Sequence, residues 1–130
     1  MSSKKAAEKK TPKSVLIVDD EIVIQEFIQH LLESKGYEVT TCVNGHDALK
    51  LMLKNPPDLV LLDVQMPKLD GYGFIIEKEK LPILADIPVI VLTVFQETER
   101  LFIRHGVRAY LPKPINPQDM LDQVQAVLPL

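Results

Sequence analysis

Residues Leu59–Pro67 read LVLLDVQMP: four apolar residues, a single carboxylate at Asp63, then a Met-Pro turn. So short an apolar run, closed by a turn, predicts a strand covered on both faces, with Asp63 at its C-terminal end. Two further runs have the same form. VLIV at Val15–Val18 ends on Asp19 and Asp20, and VIVL at Val89–Leu92 ends on Thr93. Polar groups therefore stand at the same end of three strands, the end at which open parallel α/β sheets bind ligands.

The rest of the chain supplies what such a sheet needs. After Asp19-Asp20-Glu21, Ile24, Phe27, Ile28 and Leu31 recur at helical spacing on one face, and Lys35-Gly36 is a helix stop. Residues Tyr37–Val43 alternate, with Tyr37, Val39, Thr41 and Val43 on one side, which predicts a strand near a sheet edge. Asn44 is an N-cap candidate for a helix that turns Ala48, Leu51 or Met52 inward and ends before Pro56-Pro57. Pro67, Asp70, Gly71 and Gly73 make a turn-rich stretch before a helix over about Phe74–Lys80, and Pro82 and Pro88 bracket the return to the strand at Val89. A short amphipathic segment over about 97–104 stops at Gly106. Val107–Leu111 is a fifth strand broken by Pro114, and Asn116-Pro117 starts a last helix with Leu121, Val124 and Leu128 in register. Five strands alternating with five helices, three strands apolar throughout, predict a parallel sheet flanked by helices, restricted by right-handed crossovers to a few doubly wound forms.

Composition narrows the function. A chain of 130 residues with 46% hydrophobic residues is the size of one domain. The apolar runs fall far below the roughly 20 residues that span a bilayer, and no secretory leader is evident, so a cytoplasmic protein without membrane contact is expected. Cys42 is the only cysteine, which excludes an internal disulfide and a cysteine zinc site; it reads as a small core residue. The net charge of −3 divides unevenly: residues 1–13 sum to +4, leaving −7 for 14–130. An acidic body argues against nucleic acid as the ligand, and the basic segment 1–13 reads as a disordered, solvated arm before a single domain at 14–130.

If Asp19, Asp20 and Asp63 converge, their mutual repulsion calls for a cation, and an open set of hard oxygen ligands suits Mg²⁺ with a phosphate oxygen as a further ligand. Lys113 ends the fifth strand on the same rim and can pair with a phosphoryl oxygen; the Thr93 hydroxyl can donate to another. Together these groups describe a phosphoryl group on or near Asp63, and an aspartate can be the covalent acceptor in such chemistry. Taken singly, each residue has a plainer role as cap, turn or surface charge. Their coincidence on one rim is what has no structural explanation. None of His30, His46 or His105 is placed to act as a base.

Asp19-Asp20 after VLIV, Asp63 with Val-Gln-Met-Pro and then Asp70-Gly71, Thr93 after VIVL, and Tyr110-Leu111-Pro112-Lys113-Pro114 resemble the receiver domain of two-component response regulators, over residues 14–128. The resemblance implies a flavodoxin-like fold with strand order 2-1-3-4-5. It implies that Asp63 accepts a phosphoryl group from a histidine kinase or histidine phosphotransfer protein, and that Asp19, Asp20, Asp63 and the Gln65 backbone carbonyl hold Mg²⁺. It also implies that Thr93 and Lys113 contact the phosphoryl oxygens, that Tyr110 is the switch aromatic coupled to Thr93, and that the Lys113–Pro114 bond is cis.

Two features depart from the family pattern. Val94 stands where a small residue is usual, with the bulky Phe95 after it, and the Thr93–Lys113 interval looks short, which suggests a truncated helix there. Because Leu130 closely follows the last helix, output is expected through protein contact, on the face formed by segment 97–104, the fifth strand and the last helix, where Arg100, Arg104 and Arg108 make a basic rim. The reading is a stand-alone response regulator or phosphorelay receiver, a signalling domain rather than an enzyme. The alternatives are a receiver-like binding module not switched by phosphorylation and a haloacid-dehalogenase-type phosphatase. The latter expects an Asp where this chain has Gln65. A flavodoxin is disfavoured by the acidic loop after Val18.

Overall fold

A computed structural model describes residues 12–64, 70–93 and 107–130, with the side chain of Thr93 outside that description. Five strands, β1 (Ser14–Val18), β2 (Glu38–Cys42), β3 (Leu59–Asp63), β4 (Val89–Thr93) and β5 (Val107–Pro112), form one sheet in the order β2-β1-β3-β4-β5, with every neighbouring pair parallel. The fold is the flavodoxin-like form expected from the sequence, and β2 lies at an edge as its alternation foretold. Among the described residues the helices are α1 (Ile22–Ser34), α2 (Gly45–Lys54), α3 (Gly71–Glu79), α4 (Pro82–Ala85) and α5 (Pro117–Val127).

Strand alternation divides the core into two layers. Val15 and Ile17, Leu59 and Leu61, Ile90 and Leu92 face α1 and α5, where Ile28, Leu32, Met120, Leu121 and Val124 close over them. Leu16 and Val18, Val60 and Leu62, Val89 and Val91 face α2, α3 and α4, meeting Ala48, Met52, Phe74, Ile75 and Leu84. Strands β1 and β3 are buried along both faces, which is why their runs carry no polar alternation.

Local signals place the helix ends. The Asn44 side chain accepts a hydrogen bond from the Asp47 N–H at 2.8 Å, and Asn116 accepts one from the Asp119 N–H at 3.0 Å with Pro117 as the first helical residue. Gly36 ends α1 with φ of 104°, a left-handed conformation that glycine adopts without a Cβ clash. The Tyr37 hydroxyl donates to the Leu128 carbonyl at 2.7 Å and ties the start of β2 to the end of α5. Cys42 is buried, and its burial pushes the thiol pKa up to about 12, so it is the inert core residue expected.

Four expectations need correction. Phe27 is 45% exposed; α1 buries Ile28 as expected, together with Gln25 and Leu32. Val43 lies past the end of β2 and is exposed. Helix α3 starts at Gly71, three residues early, because Asp70 is its N-cap and accepts the Gly73 N–H at 2.8 Å; the two glycines lie in the first turn rather than in a loop. Between Pro82 and Pro88 the chain also forms the short α4, whose terminal Ala85 carbonyl accepts a hydrogen bond from the buried Lys78 ammonium at 2.9 Å. The segment expected as a helix over 97–104, with its proposed shortening, and the residues Val94, Phe95, Arg100, Arg104 and His105 lie outside the described residues, as does 1–11 of the basic arm. No helix among the described residues is long and apolar enough to cross a membrane.

Candidate functional site

Because all five strands are parallel, their C-terminal ends form one rim, and register aligns the ends. Val18 pairs with Leu62, Asp63 with Leu92 and Thr93 with Pro112, so the residues after β1, the tip of β3, the end of β4 and Lys113 after β5 are neighbours. The structure brings Asp19, Asp20 and Asp63 together, each offering a carboxylate oxygen, with these atoms all within 4.8 Å of one another. Asp19 is fully buried, Asp63 is 5% exposed, and Asp20 faces solvent.

The acidic loop is fastened from below. The Asp19 N–H donates to the Cys42 carbonyl at 3.1 Å, and its Oδ1 accepts the Glu21 N–H at 2.9 Å. Gln25, buried one turn into α1, donates from Nε2 to the carbonyls of both Asp19 and Cys42 at 2.7 Å each. Glu21, rather than either aspartate, occupies the N-cap position of α1, so the two aspartates are not there merely to start a helix. Asp63 is seated by a different device. The Gly71 N–H donates to the Val64 carbonyl at 2.9 Å, and a Cβ at Gly71 would lie 2.7 Å from Val64 Cα and 2.9 Å from the Asp63 carbonyl oxygen. Only a glycine lets the start of α3 sit this close to the tip of β3.

Lys113 closes the cluster. Its Nζ lies 3.1 Å from Glu21 Oε1, 3.3 Å from Asp19 Oδ2 and 3.4 Å from Asp63 Oδ1, with the side chain largely buried. The peptide bond to Pro114 is cis. Burial draws the Lys113 ammonium toward its neutral form, but the hydrogen bond to Glu21 and the fields of Asp19 and Asp63 outweigh it, so its pKa stands above that of a free lysine. For Asp19, burial is the largest influence and raises its pKa despite the Glu21 N–H and Lys113, which oppose it. A buried carboxylate that resists ionisation beside two others is a set of hard oxygen donors to which a divalent cation would restore charge balance, and exposed Asp20 leaves one side of the set open to water.

The other sequence candidates lie nearby. Thr93 ends β4 at the level of Pro112, and Tyr110 is half-buried on β5 against the layer facing α2, α3 and α4. Gln65 lies outside the described residues, while His30 and His46 are exposed on the helices. Glu21, Gln25 and the close approach at Gly71 were missed as site features. A polar residue at 25, three and seven residues before the inward Ile28 and Leu32, was the available signal for Gln25; for Glu21 and Gly71 only tertiary structure shows the contact.

Comparison with known proteins agrees with this geometry. The family profile of the response regulator receiver domain matches residues 15–125. The chain is 40% identical over 116 residues to "Probable transcriptional regulator ycf27" of Cyanidium caldarium and 36% identical over 118 residues to the alkaline phosphatase synthesis transcriptional regulatory protein PhoP of Bacillus subtilis. These matches cover 88% and 89% of the chain but 45% and 48% of those proteins, so the chain spans just under half the length of the curated relatives it matches. Among solved structures, the chemotaxis response regulator CheY4 of Vibrio cholerae superposes with a TM-score of 0.83 at 33% identity, covering 91% of this chain and all of that one.

Proposed function

The chain belongs to the response regulator receiver family of two-component systems, and from that premise we propose that it accepts a phosphoryl group on the Asp63 carboxylate from a phosphohistidine of a histidine kinase or phosphotransfer protein. A carboxylate oxygen of Asp63 attacks phosphorus, the P–N bond to the imidazole breaks, and the histidine ring leaves with the electron pair. Such transfer needs chiefly alignment and neutralisation of charge. The observation that carries the reading is the placement of the Lys113 ammonium 3.4 Å from Asp63 Oδ1 in a cluster of three carboxylates at the strand ends.

Asp19, Asp20 and Asp63, with the Gln65 carbonyl, would hold Mg²⁺, which when bound offsets the pocket's charge toward the incoming dianion. Lys113 and the Thr93 hydroxyl would donate hydrogen bonds to the phosphoryl oxygens. Coupling of Thr93 to Tyr110 would then shift the population toward the arrangement that binds phosphate better, since only such a difference in affinity moves an equilibrium. A donor protein reaching Asp63 approaches the rim beside the start of α1, where Ile22 and Val23 are exposed apolar residues. Output passes by protein contact through the face of β5 and α5. Transcriptional regulation is named for relatives about twice as long; for this chain the proposal is the receiver step.

The test is intact-mass analysis after incubation with acetyl phosphate. Wild type should gain one phosphoryl mass in Mg²⁺ and none in EDTA, and Asp63→Asn should gain none. Equal gain by the variant would remove Asp63 as the acceptor.

A further inference from the structure

The shortest of the three Lys113 contacts is the one no part of the receiver reading uses: Glu21 Oε1 at 3.1 Å, against 3.3 Å to Asp19 and 3.4 Å to Asp63. We propose that Glu21 is a positioning residue for Lys113, a latch whose carboxylate holds the ammonium at the rim before phosphorylation and yields it to a phosphoryl oxygen on Asp63. The inference rests on Asp63 being the acceptor.

Burial separates the three partners. The side chains of Asp19 and Asp63 are 0% and 7% exposed, and Asp19 is fixed through both its backbone and its carboxylate. The Glu21 side chain is 57% exposed, so its carboxylate can return to water at small cost when Lys113 leaves. Its backbone cannot follow: the N–H is held by Asp19 Oδ1 at 2.9 Å and the carbonyl accepts the Gln25 N–H at 3.1 Å. Glu21 is thus a flexible arm on a fixed base, within reach of an ammonium whose other ion-pair partners among the described residues are the candidate metal ligands Asp19 and Asp63.

Charge sets the direction of the exchange. A phosphoryl group brings close to two negative charges and three acceptor oxygens, and a lysine hydrogen-bonded to it in a largely buried site outcompetes an exposed carboxylate. Glu21 is therefore displaced rather than required. What it does is oppose uptake, by the worth of one partly exposed ion pair. Glu21→Ala should consequently tighten binding of a phosphoryl mimic by about 1.4- to fivefold, the range such pairs span.

The probe is beryllofluoride, titrated calorimetrically into the full chain at saturating Mg²⁺, with wild type and Glu21→Ala compared and a crystal structure of wild type determined with and without it. Tighter binding by the variant, together with Lys113 Nζ leaving Glu21 for a fluorine in the complex, is the expected result. Unchanged or weaker binding in Glu21→Ala, or Lys113 remaining within 3.5 Å of Glu21 in the complex, would overturn the latch and leave the acceptor reading intact. Absence of beryllofluoride binding by wild type would overturn both.

Discussion

Substituting Gly71 by alanine sets two effects against each other. Alanine favours the helix by up to about 1 kcal/mol over glycine in an interior position, less in the first turn. Against this, the added Cβ would lie 2.7 Å from Val64 Cα and 2.9 Å from the Asp63 carbonyl oxygen, both backbone atoms that no rotamer change can move. Ordinary contact begins near 3.4 Å, so α3 and the tip of β3 must separate by about 0.7 Å, which stretches the 2.9 Å Gly71–Val64 hydrogen bond to about 3.6 Å, beyond useful range. Overpacking costs about 1–3 kcal/mol and the lost hydrogen bond about 1 kcal/mol more, so the overlap wins. The expected outcome is a net destabilisation of about 1–3 kcal/mol, a fall in melting temperature of about 3–10 °C for a domain of this size. The same displacement acts on the residue that bears the site's central carboxylate. Since a misplacement of about 1 Å can cost 10²-fold, a loss of about tenfold in phosphorylation rate is expected. Circular-dichroism melting and a phosphorylation time course with acetyl phosphate measure the two. A Gly71→Ala protein that melts at or above the wild-type temperature and is phosphorylated at the wild-type rate would show the close approach to be unimportant.

The buried Gln25 amide and the ionisation of Asp19 give two further tests. Gln25→Leu keeps most of the side-chain volume but removes both 2.7 Å bonds; Cys42 retains the Asp19 N–H while the Asp19 carbonyl loses the Gln25 donor, so a loss of about 2–4 kcal/mol in urea unfolding is expected, with weakened Mg²⁺ binding, and a loss below about 0.5 kcal/mol would refute the tether. Asp19 has a folded pKa raised above its unfolded value by burial, so protonation favours the folded state; the resulting stability is full below the unfolded pKa and is lost as pH rises through the folded one. Without Mg²⁺, Asp19→Asn should accordingly be the more stable protein at neutral pH, with Lys113 still held by Glu21 and Asp63, and the advantage should vanish in acid below the ordinary aspartate range; a variant less stable than wild type at neutral pH would contradict this.

How much of this the sequence carried depended on whether a signal was local. The apolar runs of β1, β3 and β4 needed no context, because a strand buried on both faces declares itself by composition, and the positions of Asp19, Asp63 and Thr93 at their ends followed directly. Asn44 and Asn116 were legible because capping is an interaction over three residues. Asp70 caps in the same way but was hidden by the glycines after it, whose weak helix propensity suggested a loop although tertiary packing requires one of them. In α1 the apolar residues exceed what one face can bury, so Phe27 looked as suitable as Leu32; the choice was made by Gln25, whose partners lie just after β1 and at the end of β2. Glu21 was unreadable for a similar reason. Its contact with Lys113 joins residues separated by 92 positions, brought together by the sheet alone.

The central claim is that Asp63 carries the phosphoryl group, and the most direct measurement is to locate it. Borohydride reduces an acyl phosphate to the alcohol, converting a phosphorylated aspartate to homoserine and leaving free carboxylates unchanged. After phosphorylation with acetyl phosphate and Mg²⁺, reduction and peptide mass mapping should place homoserine at position 63 and leave Asp19 and Asp20 intact. Homoserine at position 19 or 20 with Asp63 unmodified would contradict the account.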